Sequence, residues 1–577
     1  MSGGSTPACR RVESPGVRGL APALLLGSLL ALAACGGGST PAGTREADPQ
    51  RGGALTVLVP RAHAAPDPHA VATLSDAMIH RAVYRGLYVV PPSDSDEPQT
   101  PDEPSEAGEP KPDLADGPPR VSEDGRRITV RIRDGVRFGG DRGRRVNARD
   151  VARGMERAVA DPVAGPGARR LLAAVDGMPE PGEPAPSTID GIEATAPDTL
   201  EIRLRRPEAR LVVAALATPL STPVPAEREN VTPWTGPYVP TQDGPDGPVV
   251  LERNPDFQPL ADDWRKAYAE EIRLEVDDSP GAASRVVGGS GLVLGTTIVP
   301  GAVAVRAQRR GQLTRVVMPS TEYVALNPTM PPFDDLDVRK AAIAAIDRQA
   351  LLSTVAQEGG LLASHWLPPG TPGHDEAGGA EGPRYDWLAG PGADLSAASA
   401  YLRRAGYEDG RYEGEPIVAF AAQDERSQRI AQQVRDDLAA IGMRVSVREV
   451  PAATARDACS QPGSGAAVCP GAVLESLVRD PEALLRPGFV DAPAWAQAGT
   501  ADLAAVMTLA SDAQPGEQRA RAWGDIGRDV VALAPGAPWR WDERLLVVSR
   551  DVRGVVDRGS GAWDLAATSV TPAAEDR

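Results

Sequence analysis

Catalysis needs a nucleophile beside a base, a set of metal ligands or a cradle for phosphate, and few residues of this chain are spaced for any of these. Only five His occur in 577 residues, namely His63, His69, His80, His365 and His374. None stands in an H-E-x-x-H pattern, and the nearest serine candidate, Gly288-Gly289-Ser290-Gly291-Leu292, lacks the last Gly of a nucleophile elbow. There is no Walker loop, and the Gly36-Gly37-Gly38 run has no strand before it and no helix after it. His63 and His69 flank Asp67 in an irregular stretch, where an imidazole is usually unliganded. The expectation is a protein that is not an enzyme and carries no cofactor and no metal.

The four Cys are more informative. Arg10, Arg11 and Arg18 precede an apolar run over residues 20–34, which suits the core of a secretory signal. The run ends in Leu32-Ala33-Ala34-Cys35, a tetrapeptide similar to the bacterial lipobox, in which the Cys thiol receives lipid. Residues 1–34 therefore read as a lipoprotein signal peptide, Cys35 as the lipidated first residue, and residues 35–51 as a flexible tether. That leaves Cys459 and Cys469, with Pro462, Gly463 and Gly465 between them. An exported chain meets an oxidising compartment, so a disulfide is favoured over a metal pair, for which no His lies nearby.

Acidic residues outnumber Lys and Arg by 79 to 61, and the net charge of −18 repels phosphate backbones. Nucleic acid is excluded as a partner. With 41% hydrophobic residues the chain can bury several cores, and after residue 36 no run approaches the roughly 18 to 20 apolar residues that span a bilayer. Contact with the membrane is expected through the lipid alone.

The elements follow from periodicity. Residues 55–59 read as a strand and residues 76–90 as a helix with Met78, Ile79, Val83 and Leu87 on one face. Residues 91–113, with eight acids and seven prolines, read as a solvated loop. Ile128, Val130 and Ile132 alternate with polar groups, and Asp134-Gly135 should turn this strand into Val136-Arg137-Phe138 as a hairpin. Asn147 should cap a helix carrying Asp150 in its first turn, with Val151, Met155, Ala158 and Val159 buried. Leu200, Ile202 and Leu204 alternate again, and residues 337–352 and 394–405 read as helices. Over residues 426–450, Ile430, Val434, Leu438 and Ile441 mark a helix that Gly442 ends, before Met443, Val445 and Val447 alternate as a strand. A mixed first part and an α/β second part imply two lobes.

In this order the segments resemble a known family. Pro112-Asp113-Leu114-Ala115, Arg133-Asp134-Gly135-Val136, Val146-Asn147-Ala148-Arg149-Asp150-Val151, Thr235-Gly236-Pro237-Tyr238 and Leu251-Glu252-Arg253-Asn254-Pro255 are similar to stretches of the family-5 extracellular solute-binding proteins. So are Tyr323-Val324-Ala325-Leu326-Asn327, residues 332–341 and Ala405-Gly406-Tyr407. The resemblance implies an α/β, two-lobed periplasmic-binding-protein-like clamshell with an extra N-terminal subdomain, its hinge strands joining lobes at residues 52–320 and 321–489, and residues 490–577 returning to the first lobe. It also implies a monomeric lipid-anchored receptor on the extracellular face of the cell membrane, handing a small solute to the permease subunits of an ABC importer. A ligandless envelope adaptor and a metal-chelate or siderophore receptor remain as alternatives.

One departure bears on the solute. Many peptide-binding relatives carry G-W-x-x-D-x-x-D-P, the Trp lining the cleft and the first Asp pairing with the ligand's amine. Aligned on Asp480-Pro481, Leu474 replaces the Trp and Leu477 the Asp, with Glu475 two positions away. Residues 288–295 likewise lack an acid usual in the relatives. Tyr323, Asn327, Trp366, Leu474, Glu475 and Leu477 are the candidate solute contacts. A peptide-like or apolar solute is expected, and ordinary peptides should not be held by a free amine in the family's manner.

Overall fold

Leu55, Val57, Leu58 and Val59 are apolar in near succession because their strand, Ala54–Val59, is buried on both faces. It lies between the parallel strands Leu292–Leu294 and Glu271–Val276, and the sheet continues through Val249–Arg253 to Tyr238–Gln242. Leu55, Val57 and Val59 enter one core, and Leu58 enters another on the opposite face. The computed structural model describes residues 51–60, 67–71, 73–91, 110–139, 143–162, 165–179, 183–226, 233–242, 248–259, 262–296, 298–498, 500–514, 516–554, 556–557 and 560–571. Cys35, His63 and most of the acidic loop lie outside them, and the described residues all fall in the compact unit Pro49–Arg577.

The second sheet has six strands in the order Leu361–Leu362, Gly536–Val547, Leu313–Leu326, Val468–Glu475, Ile417–Ala422 and Val445–Val450. Its last two strands are parallel, as the intervening helix Glu425–Ala440 requires. Asp424 caps that helix, Ile430, Val434 and Leu438 are buried, and Gly442 takes the left-handed φ of +94° that ends it. The long strands Leu313–Leu326 and Gly536–Val547 pair from Leu313↔Val547 to Ala325↔Gly536. Leu313, Leu545 and Val547 pack beside Leu58 and Leu294, whereas Val324, Leu326 and Trp539 lie in the second core. These two strands are the hinge.

A third core belongs to the four-stranded sheet of Arg120–Val121, Arg127–Arg131, Thr199–Arg203 and Ile192–Ala196 and the helix Ala148–Ala160. Asn147 and Asp150 form a reciprocal capping box, and Val151, Met155, Ala158 and Val159 are buried as expected. Cys459 and Cys469 are joined as a disulfide, their Cα atoms 6.0 Å apart.

Several expectations fail for nonlocal reasons. Arg127–Arg131 pairs with Thr199–Arg203 and Arg120–Val121, not with residues 136–138. The helix expected over residues 76–90 is Leu74–Val83, because Arg85 is drawn to Asp113 and Leu87 N–H to Ser221 Oγ. Residues 337–352 form two helices, Leu336–Ala345 and Arg348–Thr354, the second capped by Asp347. At the end of the acidic loop, Lys111–Pro112 pairs with Tyr88–Val89 and Asp113 is buried rather than solvated. The second core does not stop at residue 490: Trp495, Met507, Trp523, Ile526 and Val530 pack in it with Val324 and Leu438. These apolar helix faces need a core, and the chain turns back to the first lobe only along Gly536–Val547.

Candidate functional site

A cavity of about 1750 Å³ lies where the first sheet, the subdomain and the second sheet meet. Its first wall carries buried charge that is already compensated. Arg265 donates to Asp113 at 2.8 Å and to Asp262 at 2.9 Å, and Arg85 pairs with Asp113 at 2.7 Å, all side chains being buried. Burial alone would raise the Asp262 pKa, but Arg265 and Arg85 outweigh it and hold the carboxyl well below its usual range. Arg81 pairs with Asp564 at 2.5 Å. The imidazoles on this wall are held neutral: burial lowers His80 to about 3, helped by His69, Arg265 and Arg81, and lowers His69 to about 4. His80 Nε2 lies 3.0 Å from Thr222 Oγ1. Asp67, beside His69, is taken by Arg157, and among the described residues no group of three or more His, Cys, Asp or Glu is placed to hold a metal.

The opposite wall is built on the C-terminal end of Val468–Glu475, where side chains alternate in burial. Leu474 points into the second core, so close to its neighbours that a Cβ on Gly488 would stand 2.4 Å from Leu474 Cδ2. Glu475 points the other way into the cavity, opposite Ser320 across the strand pair. Leu477 follows on the same side and is 53% exposed, reaching toward the helix Gly165–Leu171, where a Cβ on Gly167 would meet its Cδ1 at 3.4 Å. The turn is pinned by Ser476 N–H donating to the Pro319 carbonyl at 3.0 Å and by Arg479 donating to the Val317 and Pro369 carbonyls. Asp480 then caps Pro481–Phe489 and pairs with Arg519 at 2.7 Å. From the hinge strand, Asp542 and Arg544 complete this side.

Of the six candidate contacts, Glu475 and Leu477 line the cavity and four do not. Trp366 is 1% exposed and sits edge-on to Tyr323 at 4.9 Å and to Phe489 at 5.0 Å. Asn327 is fully buried, its amide donating to the carbonyls of Ala466 and Gln461 and so holding the loop closed by the disulfide. Tyr323, Asn327, Trp366 and Leu474 are thus parts of the second lobe's core. The physical reason is the strand's period of two, which sends Leu474 inward whenever Glu475 faces the cavity. His69, His80, Arg265, Asp542 and Arg544 were missed. For the last two the signal was present, since Arg540 and Asp542-Glu543-Arg544 place charge among the apolar residues of the hinge strand.

Residues 109–468 match the bacterial extracellular solute-binding proteins, family 5, middle region. The chain belongs to that family. This solute-binding protein is 30% identical over 130 residues to di/tripeptide-binding protein 1 of Pseudomonas aeruginosa (strain UCBPP-PA14), covering 22% of each chain. It is 26% identical over 307 residues to the probable deoxycholate-binding periplasmic protein YgiS of Escherichia coli (strain K12), covering 50% of this chain and 54% of that one. These alignments span about a fifth and about half of the relatives' lengths. Among solved structures, clavulanic acid biosynthesis oligopeptide binding protein 2 superposes with a TM-score of 0.75 at 23% identity, covering 90% of this chain and 96% of that one. OppA of Burkholderia pseudomallei gives 0.65 at 17% identity, over 91% and 99%. The shared fold is the two-lobed α/β clamshell, and the family comprises binding proteins rather than enzymes. Among the described residues no helix is long and apolar enough to cross a membrane.

Proposed function

We propose that this protein is the extracytoplasmic receptor of an ABC importer, acting as a monomer, anchored through lipid on Cys35, and delivering a small peptide-like or apolar solute to the permease subunits. The observation that carries the reading is the cavity itself: at about 1750 Å³ it exceeds the usual small-molecule pocket of roughly 300 to 1,000 Å³ and is lined from both sides of the hinge. A solute touching both sides favours the closed over the open arrangement, which is how binding becomes a signal to a permease. Leu477 on the cavity surface supports a solute not held by an amine–Asp pair, since an ammonium buried against it would lack a counter-charge. The relatives' names span di- or tripeptides and deoxycholate, and a carboxylate is the charged group those solutes have in common.

Thermal melting of the full chain with a mixed di- to pentapeptide library and with amphipathic acids tests this. A bound solute should raise the melting temperature through linkage, by about 2.7 kcal/mol of stability at a hundredfold excess over Kd. A protein that copurifies with no small molecule and responds to none would be an adaptor instead. For the anchor, Cys35→Ala should leave the chain unprocessed or released; its efficient retention at the cell surface would overturn that part.

A further inference from the structure

We infer that the solute carries a carboxylate, and that this group seats on Arg544 at the hinge edge of the cavity. The inference rests on the receptor reading and adds the chemical class of the solute. Arg544 lies in Gly536–Val547 opposite Val316 of the other hinge strand, and it lines the cavity. Its Nη1 donates to the Ser560 carbonyl, while Nε and Nη2 have no hydrogen-bond partner among the described residues. No described carboxylate pairs with it: Asp542 is turned to Arg540 at 2.8 Å, and Glu475 acts on it only through space.

Among the cavity arginines that are not exposed, such a cation stands out. Arg81, Arg265 and Arg519 each hold a carboxylate within 2.9 Å, and Arg479 is spent on two backbone carbonyls, while Arg170, Arg210 and Arg456 are exposed to solvent at the cavity rim. Burial lowers the Arg544 pKa, and the fields of Asp542 and Glu475 only partly offset that. A partly desolvated guanidinium with two open nitrogens matches the planar fork of a carboxylate, which would restore the bonds and the charge that burial removes. The two acids nearby disfavour a doubly charged group, which directs the site toward a carboxylate rather than a phosphate dianion. Met318 beside Arg544 and Leu477 on the same side of the cavity offer apolar surface for the rest of the solute.

The test uses the full chain expressed in its native host as wild type, Arg544→Met and Arg544→Lys, with the copurifying solutes identified by mass spectrometry in both ion modes. Carboxylic acids should be enriched on the wild type, fall about 10- to 100-fold on Arg544→Met, and return in part on Arg544→Lys. Melting curves establish that the variants fold. If Arg544→Met does not, the wild type decides: the recovered acid should bind about tenfold or more tighter than its own methyl ester. Enriched solutes without a carboxylate, equal acid loading on a folded Arg544→Met, or an ester bound as tightly as the acid would overturn the inference while leaving the receptor reading intact. A wild type carrying no solute would overturn both.

Discussion

The two walls of the cavity handle charge in opposite ways. On the first wall Arg81, Arg85 and Arg265 are matched by Asp564, Asp113 and Asp262, and His69 and His80 are held neutral by burial. On the second, Arg519 is paired with Asp480, but the Glu475 side chain has no hydrogen bond or ion pair among the described residues, Leu477 is exposed, and Arg544 keeps two open nitrogens. A charge already satisfied within the protein gains little from a solute, whereas an open one is left to be satisfied by it. On the proposed function, discrimination among solutes then falls to the hinge side.

The most damaging single change should be Asp113→Ala, which leaves Arg85 and Arg265 to share the one remaining carboxylate, Asp262, in a dry environment. Removing one partner of a buried ion pair costs about 3 to 5 kcal/mol. Chemical denaturation at pH 7 measures it, and a loss under about 1 kcal/mol would mean that water reaches the cluster. Leu474→Ala comes next at about 2 to 5 kcal/mol, because the side chain is packed against Gly488 in the second core. It should leave the identity of the copurifying solute unchanged. A changed solute would place Leu474 on the recognition surface after all.

The contrast between the walls was only half legible in the residues. Local signals carried well: Asn147 with Asp150, Asp424 with Gly442, and the Cys459–Cys469 pair each lie within a few residues of what they organise. Pairings over long separations did not. Nothing near Arg85 marks Asp113, 28 residues on, as its partner, and that contact is what ends the first helix at Val83. The substitution of Leu for the amine-pairing acid was visible at Leu477, but the aromatic and amide side chains grouped with it proved to be core, since scarcity of a residue type says nothing about which way it faces. Arg544 was not legible as a binding group, because only the fold turns Asp542 to Arg540 and leaves Arg544 without a carboxylate.

The neutral imidazoles give the comparison a pH axis. Folded pKa values of about 4 for His69 and about 3 for His80 and His365 lie below the ordinary 6.5, with burial the main cause in each. Between those limits the unfolded chain binds protons that the folded one refuses, so stability rises with pH, and it is lost as pH falls from about 6.5 toward 4. Each such group can remove up to about 1.4 kcal/mol per pH unit. Asp437, raised by burial to about 6, works in the opposite sense between 3.8 and 6 and offsets part of the loss. His80→Gln, which retains a partner for Thr222, should flatten the decline in melting temperature between pH 6.5 and 4.5. An unchanged slope would show that His80 is hydrated and the first wall less dry than its burial implies.

The smallest effect on stability, and the sharpest on the comparison, belongs to Glu475→Gln. The side chain has no bonded partner among the described residues, so its loss should stay within about 0.5 kcal/mol. Its meaning lies in binding. Glu475 and Leu477 share the cavity side of the turn, so a carboxylate stands two residues from where an amine-pairing acid is expected. If the solute is anchored by its carboxylate and apolar body, calorimetry should find no micromolar binding of free-amine di- to pentapeptides to the wild type, and Glu475→Gln should leave the native solute in place. Leu477→Asp should then install an amine site and bring such peptides in, because the new acid would face the same cavity as the side chain it replaces. Should the wild type instead bind free-amine peptides at micromolar affinity and lose them on Glu475→Gln, Glu475 would be the relocated amine anchor, and the second wall would recognise a peptide terminus rather than an apolar acid.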